Sequence, residues 1–320
     1  MESFVLAAKA VFPMFFWILL GFGIKNLFHI SDEAVRKGNK IVFTFLLPIA
    51  IFNNVTAAHI GSVVQPVLIV FTASSIFIIW GCTWKYIKAT EPDRTKHGAL
   101  IQGIFRSNFV LFGMPLVSNI YSTGSAGVTS FMVAIVVPIF NLLAIFTLET
   151  NRRDRAPGRM KVRSLLVAIA KNPLIIGSVV GIVFLFAAIP IPEALRDPLN
   201  LFSRASTQIA LFIMGGAFTL KNIATDRKRL VKAVSLKLVF WPFLVISAAV
   251  LIGFRDVELA TILSFAAAPS AINSYTMADI MGNDGPLAAA IVVFTTLFAA
   301  VTVFLFVFGL SSLGFIGRVN

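Results

Sequence analysis

Arg106-Ser107-Asn108-Phe109-Val110-Leu111-Phe112-Gly113-Met114-Pro115 interrupts an apolar run that extends from about residue 97 to 121. A run of that length with few charges is what a membrane-spanning helix of roughly 20 residues requires. This one carries an arginine, two hydrogen-bonding side chains, a glycine and a proline near its middle. Proline removes a backbone donor and clashes with the preceding turn, so carbonyls are freed where water is scarce. A second run, 258–281, carries Ala266-Ala267-Ala268-Pro269-Ser270 at the corresponding place. Two interrupted runs, one in each half of the chain, predict broken helices whose unwound segments face one another near the membrane midplane. The positive N-termini of the outgoing half-helices would then favour an anion.

Outward from these two runs the same pattern repeats. Ten apolar runs lie near 5–28, 35–57, 63–86, 97–121, 125–148, 164–188, 198–220, 230–253, 258–281 and 286–310, joined by short connections. The first is read as a retained helix rather than a cleaved leader, because Glu2 opens it, Lys9 interrupts it and no small-residue cleavage site follows. Of the 320 residues, 58% are apolar and 13% charged, too much apolar surface for a soluble chain of this size to bury. The expected class is an all-α polytopic membrane protein.

Lys and Arg sit in alternate connections. Twenty-one of the 27 fall in the first, third, fifth and seventh, and the second and fourth hold none. The positive-inside rule makes the basic connections cytoplasmic, which sets both termini outside the cytoplasm in an inner (plasma) membrane. The basic stretch 151–163 divides the chain into 1–150 and 164–320, five runs each. An odd number of crossings reverses the second half, so two similar halves form an inverted repeat. Scattered among apolar runs, the excess charge of +13 makes no nucleic-acid face, and the single cysteine, Cys82, excludes an intrachain disulfide framework. Pro13, Pro48, Pro138 and Pro242 also lie within runs and are read as plain kinks.

Asn108-Phe-Val-Leu-Phe-Gly113-Met-Pro115-Leu, Lys171-Asn172-Pro173-Leu-Ile-Ile-Gly177 and Ala268-Pro269-Ser270-Ala271-Ile272-Asn273-Ser274-Tyr275, in that order, resemble the auxin efflux carrier family. That family includes prokaryotic malate and malonate permeases and the plant PIN exporters. The resemblance covers the whole chain. It implies ten helices, with a scaffold of helices 1, 2, 6 and 7 and a transport domain of helices 3, 4, 5, 8, 9 and 10. Helices 4 and 9 would cross at Pro115 and Pro269, and the transport domain would move like an elevator. The short connection at 151–163 fits a prokaryotic permease better than the plant exporters with their long loop. A small carboxylate, the bilayer and a second copy of the chain are the implied partners, and no cofactor is implied.

The same resemblance carries substrate contact to Asn108, Pro115, Pro269 and Asn273. Read for its chemistry, Asn108 either caps the half-helix after the break or donates to a carboxylate. Ser270 is either a cap or a ligand, and Tyr275 reads as packing. At 1.5 Å per residue Arg106 lies roughly 13 Å into its run. Charge at that depth faces water or a partner, so Arg106 is a counter-charge for an anion, the partner of an acid such as Asp279, or a snorkelling residue. Asp279 itself is either a solvated carboxylate or a proton-coupling site. Arg204 and Gln208, four residues apart, share a helix face and line an outer vestibule or snorkel. Gly177 and Gly181 have small-xxx-small spacing for close helix packing.

Intramembrane enzymes fit poorly. His29, His59 and His97 fall at run ends away from any nucleophile, no Gly-x-Ser-x-Gly elbow is present, and Asp279 stands without a second intramembrane carboxylate. No His or acid pairs occur at metal-ligand spacing. The sequence therefore predicts a secondary permease for a small organic anion, with a sodium- or proton-coupled symporter or antiporter of similar crossed-helix fold as the alternative.

Overall fold

The computed structural model describes residues 16–57, 66–121, 126–152, 166–167, 169–217 and 220–317. Among these the regular elements are all helical. The first half holds α1 (Phe16–Leu27), α2 (Asp32–Thr56), α3 (Pro66–Thr90), α4 (His97–Phe105), α5 (Met114–Ile120) and α6 (Ala126–Thr150). The second half holds α7 (Pro173–Phe186), α8 (Glu193–Ala217), α9 (Leu220–Ser235), α10 (Trp241–Ile252), α11 (Asp256–Ala266), α12 (Asn273–Ile280) and α13 (Gly285–Ser312). Five stretches, Asp32–Thr56, Pro66–Thr90, Phe131–Thr150, Asp226–Ile252 and Gly285–Ser312, are long and apolar enough to cross a membrane; α1 and α7 are apolar but shorter. Large apolar side chains such as Leu19, Val70 and Leu251 are exposed, the kind of surface a bilayer covers.

Local chemistry sets the helix ends. Ser31 opens α2 by accepting from the Ala34 amide, Asn172 opens α7 by accepting from Leu174, and Asp284 opens α13 by accepting from Leu287. Gly253, at φ 104°, closes α10 in the left-handed conformation that glycine adopts without strain. Two of the prolines read as plain kinks, Pro48 and Pro242, share a device with Pro115. π-Helical turns at Val42–Leu46, Phe109–Gly113 and Leu236–Phe240 end two residues before Pro48, Pro115 and Pro242, respectively. In each, the residue just before the proline donates to the carbonyl five residues back, Leu47 to Val42, Met114 to Phe109 and Trp241 to Leu236, a wider turn than the α-helix makes. Pro138 and Pro198 lie inside helices with no such turn assigned; Pro13 lies outside the described residues.

Packing within α1, α2, α7 and α8 depends on glycine. Gly21 of α1 lies on the backbone of Phe212, and Gly215 of α8 lies on the backbone of Ile18; an added Cβ would sit 1.9 and 2.0 Å from those carbonyl oxygens. Gly177 of α7 lies on the Pro48 backbone of α2 in the same manner, and Gly181 lies against the Val55 side chain and the Phe52 carbonyl. The small-xxx-small spacing in α7 therefore lies on the contact with α2, with the backbones closest at Gly177. The remaining helices pack around α4, α6, α11 and α12, whose buried faces form most of the core.

Candidate functional site

Two helices stop short of each other in the middle of the molecule. α4 ends at Phe105, and Arg106 turns to an extended conformation, φ −84° and ψ 123°. α11 ends at Ala266, and the chain stays irregular until α12 begins at Asn273. The two irregular segments pair as an isolated antiparallel bridge between Ser107 and Ser270. The Asn108 amide donates to the Pro269 carbonyl at 2.8 Å, and the Ala271 amide donates to the Arg106 carbonyl at 3.3 Å. These bonds satisfy backbone groups that unwinding would otherwise leave bare in an apolar interior.

The crossing thus falls at Ser107 and Ser270, which corrects the expectation that it lies at Pro115. Pro269 takes part through its carbonyl. Pro115 lies beyond the π turn, at the start of α5, where the turn accommodates it without a break. Ser270 is fully buried; its hydroxyl donates to the Gly103 carbonyl and its amide donates to Thr295 at 3.1 Å. Its hydroxyl fastens the crossing from within, and the first residue of α12 is not capped by it.

Arg106 is buried, and no acid among the described residues is within ion-pair distance of it. Its guanidinium donates to the Asn141 carbonyl oxygen and touches the Met277 sulfur. Gln102, one turn earlier on α4, accepts from it at 3.0 Å when its amide oxygen faces the guanidinium. Asp279, weighed as its partner, instead accepts from Asn39 of α2 at 2.9 Å and is half-buried. Arg106 therefore sits among neutral groups, a charge whose desolvation is offset only by amide and thioether contacts.

A cavity of about 70 Å³ opens beside it, lined by Arg106, Asn108, Asn141 and Asn273 together with Asn54 of α2 and Thr207 of α8. On this measure one water takes roughly 10–15 Å³, so the space suits a small polyatomic group. Asn108 is buried, makes no cap bond to the following turn, and leaves its Nδ2 without a partner. Asn273 is the half-buried first residue of α12. Tyr275 is almost fully buried in the core, as packing requires. Arg204 and Gln208 are exposed on α8.

Three participants were not singled out from sequence. Asn141 both accepts from Arg106 and donates to Ser178 of α7 at 3.3 Å. Gln102 stands four residues before Arg106, a spacing that already put them on one helix face. Lys237 is buried in the π turn between α9 and α10, with its ammonium donating to Ser107 at the crossing. Counted from sequence as a cytoplasmic base, it lies instead beside the bridge.

A family model described as "Membrane transport protein" matches residues 6–307. The "Uncharacterized transporter YfdV" of Escherichia coli (strain K12) is 26% identical over 211 residues, spanning 63% of this chain and 66% of that protein. The "Putative malonate transporter" of Rhizobium meliloti (strain 1021) is 24% identical over 302 residues, 92% of each chain.

Proposed function

The chain belongs to the membrane transport protein family, and we propose that within it the protein is a secondary carrier for a small organic anion, a carboxylate of the malonate kind. The observation that carries this reading is the acid-free guanidinium of Arg106 on a cavity that also receives the unpartnered Asn108 amide. A carboxylate entering there accepts from both, and gives the buried charge the partner it lacks. Asn273 and the neighbouring turn at Ala271 and Ile272 form the opposite wall.

The cavity also supports alternating access. Its walls come from two groups of helices: Ala50, Asn54 and Thr207 belong to α2 and α8, while Arg106, Asn108 and Asn273 belong to the crossing. In the proposed cycle α1, α2, α7 and α8 stay fixed and the remaining helices carry the crossing across the membrane. Repeated contacts support two inverted halves of five spans. The spacing between Gly21 and Gly181 equals that between Phe52 and Phe212, and Gly21 neighbours the Phe212 carbonyl as Gly181, less closely, neighbours that of Phe52. On this reading residues 151–163 are cytoplasmic, and the chain's last residues lie outside an inner membrane. A C-terminal reporter active only in the cytoplasm would refute that orientation. Asp279 joins the two groups by accepting from Asn39; on this reading it is the proton-coupling position.

Counterflow in reconstituted vesicles tests the function. Preloaded malonate or a related dicarboxylate should drive uptake of labelled substrate, and an amino acid or sugar should not. Absence of counterflow with every mono- and dicarboxylate tried would overturn the reading.

A further inference from the structure

Lys237 is a second buried cation at the crossing, on the side away from the cavity. Its side chain is 3% exposed, and its ammonium meets the Ser107 hydroxyl. Ser107 lines the cavity and Lys237 does not, so the serine stands between the ammonium and the proposed anion. No acid among the described residues pairs with Lys237. The π turn that carries it packs against α4 and α13.

Helix ends supply what an acid does not. α4 and α11 both have their C-terminal ends at the crossing. Each helix C-terminus carries about half a negative elementary charge, so the two ends together amount to roughly one. A single monovalent cation balances that pole. Carbonyl and hydroxyl oxygens gathered in a low-dielectric interior would otherwise attract a soluble ion such as sodium.

We propose that Lys237 is a tethered counter-cation for this carbonyl pole, so that the carrier works without a bound sodium ion and loss of the ammonium opens a site for a small soluble cation. The proposal rests on the crossed-helix carrier reading for its effect on transport, and on the buried geometry alone for its effect on stability. The ammonium holds Ser107 and the bridge in place from behind, which keeps Arg106 and Asn108 aimed at the cavity. Lys237 is in this sense a positioning residue for the anion site.

The test uses the purified full-length protein in sodium, potassium, methylammonium and choline chloride at equal ionic strength, with and without malonate. Wild-type melting temperature and malonate affinity should be the same in all four salts. Lys237→Ala in choline should melt lower and bind malonate roughly tenfold more weakly, the scale of a lost charge-assisted hydrogen bond. Methylammonium or sodium should restore both, whereas choline, too bulky for the vacated space, should not. Lys237→Gln keeps a donor for Ser107 without the charge; it should show the same cation dependence and serves in place of the alanine variant if that does not accumulate. Wild-type affinity that rises with sodium would overturn the proposal. So would a variant as stable as wild type in choline, or one that no small cation restores. The salt dependence of melting is read without malonate, so failure of wild type to bind any carboxylate would sink the carrier reading and leave this arm interpretable.

Discussion

Two clusters of buried charge differ in one respect. Beyond the end of α3, Arg229 makes a two-pronged contact to Glu91 at 2.7 and 2.9 Å and another to Asp226 at 2.7 Å. Lys96 joins Asp226 at 3.4 Å to Asp284 at 2.7 Å, and Asp284 also caps α13. At the crossing Arg106 and Lys237 are more deeply buried than either of those cations, and their partners are amides, a thioether and a hydroxyl. Both regions bear a desolvation cost for charge. In the first, opposite charges offset it and the result is a clamp among α3, α9 and α13. In the second no carboxylate among the described residues pairs with either cation, and the charge on Arg106 is what a transported anion would relieve.

The comparison can be broken by giving the crossing an acid. Asn141→Asp places a carboxylate where Arg106 already donates, converting the site into a pair of the Arg229–Glu91 kind. A competing negative charge about 4 Å away at an effective dielectric near 20 is worth ~4 kcal/mol, so malonate affinity should fall by roughly 100-fold or more. Melting temperature should hold or rise. Isothermal titration and thermal melting on the same preparation read both effects; retained affinity would mean that Arg106 does not face the ligand.

The converse change removes a cation from the paired cluster. Arg229→Ala leaves Glu91 buried without its guanidinium and Asp226 with Lys96 alone, and should cost about 3 kcal/mol, at the low end for a broken buried pair because Arg229 remains partly in water. Malonate affinity should stay within about twofold, since a site this far removed adds independently. The hydrogen bond from Arg229 holds the Glu91 carboxyl below its ordinary value of 4.5, against the opposing effect of burial. A lowered folded-state pKa stabilises the fold above the unfolded value, and that stability is lost as pH falls through the folded one. Melting temperature should therefore drop on acidification below about pH 4.5, and Glu91→Gln should flatten that limb.

A smaller effect sharpens the account of the cavity. Asn108→Ala and Asn273→Ala should each weaken malonate binding by a few-fold to about tenfold, the range for one hydrogen bond. Asn108→Ala should leave stability unchanged or slightly higher, because it removes a buried donor that has no partner in the unliganded protein. Binding by melting shift separates the two; a stability loss without an affinity loss would make Asn108 structural.

The apolar runs, the breaks at Arg106–Asn108 and Ala266–Ser270, and the depth of Arg106 were legible in the sequence, because burial of an unpaired polar group leaves a mark in any apolar stretch. Pro115 misled. Proline signals a disturbed backbone, but a π turn absorbs it, and the true break falls where Ser107 and Ser270 can pair across. Lys237 was hidden by its position in a basic stretch. Only the helical path from Asp226 shows that it lies about 16 Å along a spanning helix at 1.5 Å per residue. Asn141 is a single polar residue in an apolar run, and its role depends on Arg106 and Ser178 approaching from two other helices, which no local pattern encodes.

The central claim is that Arg106 stays without an acid so that a carboxylate can pair with it. The direct measurement is the melting temperature of wild type and Arg106→Gln over a malonate titration. The account predicts a concentration-dependent rise for wild type, and for Arg106→Gln a similar unliganded melting temperature with affinity lower by roughly tenfold or more. Arg106→Lys should fall between them, since it keeps the charge and loses the planar fork. An Arg106→Gln protein that is equally stable and binds malonate as tightly as wild type would contradict the claim.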